Sequence, residues 1–230
     1  MTVNKLVAVS TAEELSAALK KTYTGDTIVL APGSNYELSA VLNQGVQITE
    51  GVTIDGNGAT LTVDGGMSDG DAYDRLYADG VTFKNVVFDA EKLYIKGETT
   101  FIDCTFNAPI QDAEPVEGTV KFEDCTFNNT VHFAPAAASA STNGKFFEAK
   151  GCNFTKNLTV QGFEKVTLKN CDLSGNNWAN KNMISYSPVV VDTCTFTTGI
   201  RLGGLTSDAV TCTGGTVTVT WAGGSATVGA

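Results

Sequence analysis

The 230-residue chain carries 25 Asp plus Glu against 15 Lys plus Arg, a formal charge of −10, with only two arginines, Arg75 and Arg201. So acidic and arginine-poor a chain is excluded as a binder of the nucleic-acid backbone, and no apolar run reaches the roughly 18 residues that span a bilayer. An apolar share of 42% with 17% charged residues excludes wholesale disorder and leaves room for a sizeable core.

The opening Met1-Thr-Val-Asn-Lys-Leu-Val-Ala-Val lacks the long apolar stretch and cleavage site of a secretory signal. The expectation is synthesis in the cytoplasm, with the protein either kept there or released by another route, such as lysis. Thr11-Ala-Glu-Glu14 is a capping box, in which hydroxyl and carboxylate satisfy free amides of a first helical turn. Ala12, Leu15, Ala18 and Leu19 then form one apolar stripe on a short helix. Gly25-Asp-Thr-Ile-Val-Leu30 follows as a strand, with Ala31-Pro-Gly33 as its turn. Residues 1–35 therefore read as an end cap, laid across strand edges and core that would otherwise be open.

Residues 36 to about 215 read as coils, and from Phe83 onward a short pattern recurs in them: apolar, two variable residues, Cys, one polar residue, apolar. It stands as Phe101-Ile-Asp-Cys104-Thr-Phe106 and Phe122-Glu-Asp-Cys125-Thr-Phe127, then as Ala149-Lys-Gly-Cys152-Asn-Phe154, Leu168-Lys-Asn-Cys171-Asp-Leu173 and Val191-Asp-Thr-Cys194-Thr-Phe196. An earlier copy, Phe83-Lys-Asn-Val86-Val-Phe88, has Val at the Cys place, and a degenerate last copy centres on Cys212. Successive steps from Val86 to Cys212 are 18, 21, 27, 19, 23 and 18 residues, one solenoid coil per step with loops where the step is long. Each copy is a β-branched and aromatic run bounded by Gly, Asn, Asp or Pro, and no helical periodicity follows residue 21. Stacked at the strand spacing of about 4.8 Å, some eight coils make a parallel β-helix roughly 40 Å long.

Ser10-Thr-Ala-Glu-Glu-Leu15, Gly25-Asp-Thr-Ile-Val-Leu-Ala-Pro-Gly33 with Tyr36, and Gly51-Val-Thr-Ile-Asp-Gly-Asn-Gly58 resemble the opening of pectate-lyase-like right-handed β-helix proteins. The resemblance implies an all-β, right-handed, single-stranded parallel β-helix with an N-terminal α-helical cap, one domain over residues 1–230. It specifies architecture and not chemistry, since the same opening serves lyases, hydrolases, adhesins and phage spikes. Residues 216–230 close the chain, with Val217, Val219 and Trp221 on the apolar face of a final strand.

Equivalent positions on adjacent parallel strands point the same way, so Cys104, Cys125, Cys152, Cys171, Cys194 and Cys212 are expected to form an inward ladder of reduced thiols. Disulfides need converging Cβ vectors, which such a stack lacks. No Cys-x-x-Cys occurs and His132 is the sole histidine, so zinc ligation is not expected. His132 itself reads as an ordinary strand side chain.

The clustered aspartates, Gly-His-Gly and Arg-Ile-Lys segments of pectin hydrolases of this fold are missing from the sequence. A lyase needs Lys or Arg to neutralise a uronate and abstract a proton. Lys84, Lys121, Lys150 and Lys169 recur beside the motif, but each adjoins an inward position and is expected outward, partnered with acids such as Asp103 and Glu123. The segment 64–75 gathers Asp64, Asp69, Asp71 and Asp74 with glycines, a hard-oxygen set able to hold calcium, although it does not match an EF-hand loop; no other cofactor is expected. Asn176, Trp178 and Asn180, with Tyr186, form an aromatic platform ringed by amides, which is what glycan binding uses.

The functional expectation is a non-catalytic structural or adhesive protein, best a bacteriophage virion surface component such as a capsid decoration protein, head fibre or spike. Its partners would be other structural proteins of a particle or cell surface, glycans, or further copies of itself. Reduced cysteines agree with assembly in a cytoplasm before release. The alternative is a polysaccharide lyase or other carbohydrate-active enzyme of the same fold.

Overall fold

The computed structural model describes residues 4–22, 24–38, 46–47, 51–62, 76–89, 93–134, 143–175 and 182–229. They form a parallel β-solenoid of about eight turns. Three strands make up each full coil, and like strands of successive coils pair in parallel into three sheets that run the length of the rod.

The first sheet holds the apolar residue that opens each repeat. Its inward column runs Ile28, Ile54, Phe83, Phe101, Phe122, Ala149, Leu168, Val191 and Cys212, each opposite the next. The second sheet is short, and its inward column includes Leu61, Phe88, Phe106, Phe127 and Phe154. Phe88, Phe106, Phe127 and Phe154 stack with ring centroids 5.0, 4.8 and 4.6 Å apart and ring planes within 9° of parallel. Those separations match the strand spacing, so one aromatic per coil at a constant register is what makes the stack. Phe83, Phe101 and Phe122 stack in the same way on the first sheet at 5.2 and 5.1 Å, and the two stacks meet edge to face.

The corner between these two sheets depends on residues that tolerate the left-handed region. Asn85, Asp103, Asp124, Gly151, Asn170 and Thr193 all have φ between 50 and 66°, and each immediately precedes the Val or Cys of its repeat. Asn and Asp accept this conformation more readily than other non-glycine residues. Five cysteines follow these corners. Cys104, Cys125, Cys152 and Cys171 are buried, and each Sγ donates to the carbonyl two residues back (3.2–3.3 Å) and to one in the preceding coil (3.4–3.6 Å). Cys194 Sγ accepts from the Cys171 N–H at 3.3 Å. All six cysteines are free thiols.

Cys212 does not continue that ladder. It stands opposite Val191, in the column that opens the repeat, and Thr213 stands opposite Asp192, which leaves the ladder place to Gly215. Apolar alternation along Val210–Thr213 sets this register; the step of 18 residues from Cys194 is a coincidence of spacing.

At the N-terminal end a strand precedes the helix. Leu6–Val9 pairs in parallel with Thr27–Leu30, and the helix Ala12–Leu19 joins the two, with Leu15, Ala18 and Leu19 buried against the core. Thr11 Oγ1 accepts from the Glu14 N–H as the capping box requires, but the Glu14 carboxylate reaches Ser10, accepting from its N–H at 2.7 Å and its hydroxyl at 2.8 Å. At the other end Thr216–Trp221 turns back on Gly224–Gly229 as an antiparallel hairpin, so two strands close the rod and not one. Val217 and Val219 are buried there, and Trp221 is half-buried beside them.

Candidate functional site

The third sheet is the face whose construction differs. Its strands include Val46–Gln47, Leu76–Ala78, Leu93–Ile95 at the head of a longer strand, Val131–Phe133, Asn182–Ser185 and Ile200–Gly203. The segments 39–45, 48–50, 63–75, 90–92, 135–142 and 176–181, which lie outside the described residues, all fall in sequence immediately before or after one of these strands or within two residues of it. None interrupts the corner between the first and second sheets.

Alternation places one outward row along this sheet. Tyr94, Gln111, His132, Thr159, Met183, Arg201 and Thr220 follow one another in register, and of these Tyr94 is buried. No acidic residue occurs among these seven, although the chain carries −10 overall. Met183 and Tyr186, on the same strand and its corner, are two of the three large hydrophobic side chains that are exposed among the described residues, at 37% and 42%.

Tyr186 occupies an unusual place. Its φ is +54°, and the equivalent corners of the coils on either side are Gly162 and Gly204, with φ of +76° and +73°. The Gly162 N–H donates to Ser185 O and the Tyr186 N–H to Gly203 O, both at 2.9 Å, which fixes the alignment of the three corners. A side chain at Gly204 would collide with the Tyr186 ring, so the ring lies directly against that glycine. A bulky residue in the left-handed region costs about 1–2 kcal/mol. The chain therefore sustains a strained, exposed tyrosine with bare backbone above and below it.

Behind the third sheet sit polar groups that break the apolar pattern. Asn182 stands in the inward column between Leu158 and Ile200, is buried, and its Oδ1 accepts from the Leu158 N–H at 3.2 Å. Asn143 is also buried; its Oδ1 accepts from the Val116 N–H at 2.8 Å, and its Nδ2 donates to Asp112 Oδ2 at 2.9 Å and Phe133 O at 3.2 Å. Asn143 and Asn182 are each the first described residue after a sequence insert. Each satisfies a buried backbone N–H of another coil segment, that of Val116 for Asn143 and that of Leu158 for Asn182.

Of the residues singled out by sequence, Tyr186 and His132 lie on this face. Asn176, Trp178 and Asn180, and the aspartates Asp64, Asp69, Asp71 and Asp74, lie outside the described residues. Among the described residues no three His, Cys, Asp or Glu side chains gather as a metal site. The recurring lysines are outward on the first sheet. Lys121 pairs with Glu123 at 2.9 Å and Lys169 with Asp192 at 2.8 Å, and these carboxylate partners raise the pKa of both lysines.

No protein-family model and no curated protein sequence matches this chain.

Proposed function

We propose that this chain is a non-catalytic structural or adhesive rod, a component of a bacteriophage virion surface such as a capsid decoration protein, head fibre or spike. In this reading the first and second sheets supply stiffness, and the third sheet with its bordering inserts contacts a structural protein or a glycan. The observation that carries it is the exposed Tyr186, held at φ +54° between two glycine corners on the third sheet. The strained Tyr186 on that face supports contact with a sugar ring, which an aromatic side chain stacks against. Asn176, Trp178 and Asn180, in the insert just before the same strand, are the proposed amide and aromatic partners.

A lyase of this fold would need a lysine or arginine able to surrender its proton near neutral pH. Carboxylate partners push Lys121 and Lys169 the opposite way, which favours the non-catalytic reading. Two measurements separate the classes. Antibodies against the chain should label intact particles of a producing phage, and the purified protein should release no unsaturated uronide from pectate, alginate or chondroitin. Turnover on one of these polymers that disappears in Arg201→Ala or Lys84→Ala would overturn the proposal.

A further inference from the structure

Asp112 is an acid at an inward position. Alternation along the strand that begins at Ile110 sends Ile110 and Asp112 to the core side and Gln111 outward. Register confirms the side: Asp112 stands opposite Ile95, which is fully buried, and next to the pairing of Gln111 with His132, which brings it beside Phe133. Only 7% of Asp112 remains exposed. Its hydrogen-bond partner is the neutral amide of Asn143, at 2.9 Å from Oδ2. A buried carboxylate answered by amides and no cation is costly when ionised.

The same asparagine holds a bulge. Between Asp112 and Glu117 the strand gains residues relative to its neighbour, since Asp112 faces Ile95 and Glu117 faces Gly97. Residues 113–116 form this bulge, and the Val116 N–H is tied to Asn143 Oδ1 at 2.8 Å. Asp112, Asn143 and Val116 thus make one chain of hydrogen bonds from the core to the bulge.

We propose that Asp112 and Asn143 form a pH-operated clasp on the third face, which closes the 113–116 bulge when Asp112 is protonated and loosens it when Asp112 is ionised. Oδ2 remains an acceptor for Asn143 when the other carboxyl oxygen carries the proton, so the closed cluster keeps its bonds without a buried charge. Ionisation leaves that charge in the core, and local opening of the bulge is the way to hydrate it. Burial pushes the Asp112 carboxyl up to about 6, against the opposing pull of Asn143, its own backbone, the His132 charge and the Ala134 backbone.

The surrounding charges do not replace this control. His132, from the next strand, is exposed and acts only at a distance; Lys96 follows Ile95 on the strand to the other side and is exposed. Glu117, Lys145 and Glu164 line the cleft above Asn143 and are exposed too. None of them makes an ion pair with Asp112 among the described residues. The clasp is independent of what the third face binds.

The test is a carboxyl-carbon NMR titration of the full chain together with amide exchange at Val116. Asp112 should titrate near pH 6. Val116 protection, corrected for intrinsic exchange, should fall about tenfold between about pH 5 and about pH 7.5, the factor expected when the open state has an ordinary aspartate. Asp112→Asn keeps an acceptor for Asn143 and should abolish that pH dependence. His132→Ala removes a charge that favours the ionised form and should move the midpoint upward. An Asp112 titration in the ordinary range, about 3.5–4.5, overturns the proposal without recourse to any variant. So does an unchanged Val116 pH dependence in Asp112→Asn.

Discussion

Phe127→Ala tests whether the aromatic stack is what holds the coils together. Phe127 is fully buried, stacks on Phe106 at 4.8 Å and Phe154 at 4.6 Å, and meets Phe122 edge to face at 5.1 Å. Burying one such side chain contributes about 1.5–3 kcal/mol. Three ring pairs add about 0.5–1.5 kcal/mol each, and part of that returns as neighbours relax. The expected loss is about 4 kcal/mol, within the range of about 3–5 found for Phe→Ala in cores. At this chain length each kcal/mol lowers Tm by about 2–4 °C, so the fall should be about 8–16 °C. The comparison is Phe196→Ala in the same column near the C-terminal end, where the ring is only half-buried and about 1–2 kcal/mol should be lost. Urea unfolding followed by far-ultraviolet circular dichroism gives both numbers. A lowered m value for Phe127→Ala alone would show the rod coming apart in two pieces about a broken coil, as a one-dimensional array permits. The reasoning fails if Phe127→Ala costs less than about 2 kcal/mol, or no more than Phe196→Ala.

Other outcomes follow from the same geometry. Thiol labelling of the native protein should modify Cys212 first and Cys194 next. Cys104, Cys125, Cys152 and Cys171 should stay unreacted until unfolding, because all four are buried while Cys194 and Cys212 are partly exposed; mass spectrometry of the tryptic peptides reads the order, and early labelling of Cys152 would contradict the ladder. Tyr186→Gly should leave stability unchanged or raise it by up to about 1 kcal/mol, as relief of the left-handed strain offsets the lost packing on Gly204; a clear loss in a thermal melt would mean that the ring is structural. Stability should also pass through a maximum in mild acid. The raised Asp112 binds its proton more readily folded than unfolded, so its contribution is complete below pH 3.8 and is lost as pH rises through about 6. The loss should be about 1–2 kcal/mol after allowance for solvent screening. Glu123, Asp172 and Asp192 are lowered by hydrogen bonds to Lys121, Ser174 and Lys169, so their contribution disappears in the opposite direction, as pH falls through the lower carboxylate range. Melts across pH should show the high-pH decline in the native protein and not in Asp112→Asn.

The coil pattern was legible because each coil repeats the same inward types at the same offsets, and parallel stacking needs only that. Phe101, Phe122 and Cys104, Cys125 announce their columns directly. Cys212 misleads for the same reason: a step of one coil length brings it near the ladder, while alternation along its own strand puts it opposite Val191. The leading strand Leu6–Val9 is not legible in the sequence, because a run of four apolar residues carries no alternation to separate strand from linker. The polar groups behind the third sheet were harder still. Asp112 does sit at an inward phase of Ile110-Gln111-Asp112, a signal that alternation alone offers. Its partner Asn143 lies 31 residues away, beyond an insert, and no local pattern pairs them.

The glycine column around Tyr186 sets that residue apart from the packed columns of the solenoid. A residue chosen for packing would be buried or would share its position with similar residues in adjacent coils, as Phe106 and Phe154 do around Phe127. Tyr186 does neither, since it is 42% exposed and its neighbours in the column are glycines at φ of +76° and +73°. Glycine is the residue that this corner tolerates without strain, and the coils on both sides use it. The contact of its ring with Gly204 offsets part of the about 1–2 kcal/mol that this conformation costs. Its ring rests on Gly204, its strand carries the exposed Met183, and Arg201 stands opposite Met183 on the next coil. An aromatic, a thioether and a guanidinium thus stand together on one stiff sheet, and of the three only the tyrosine carries left-handed strain.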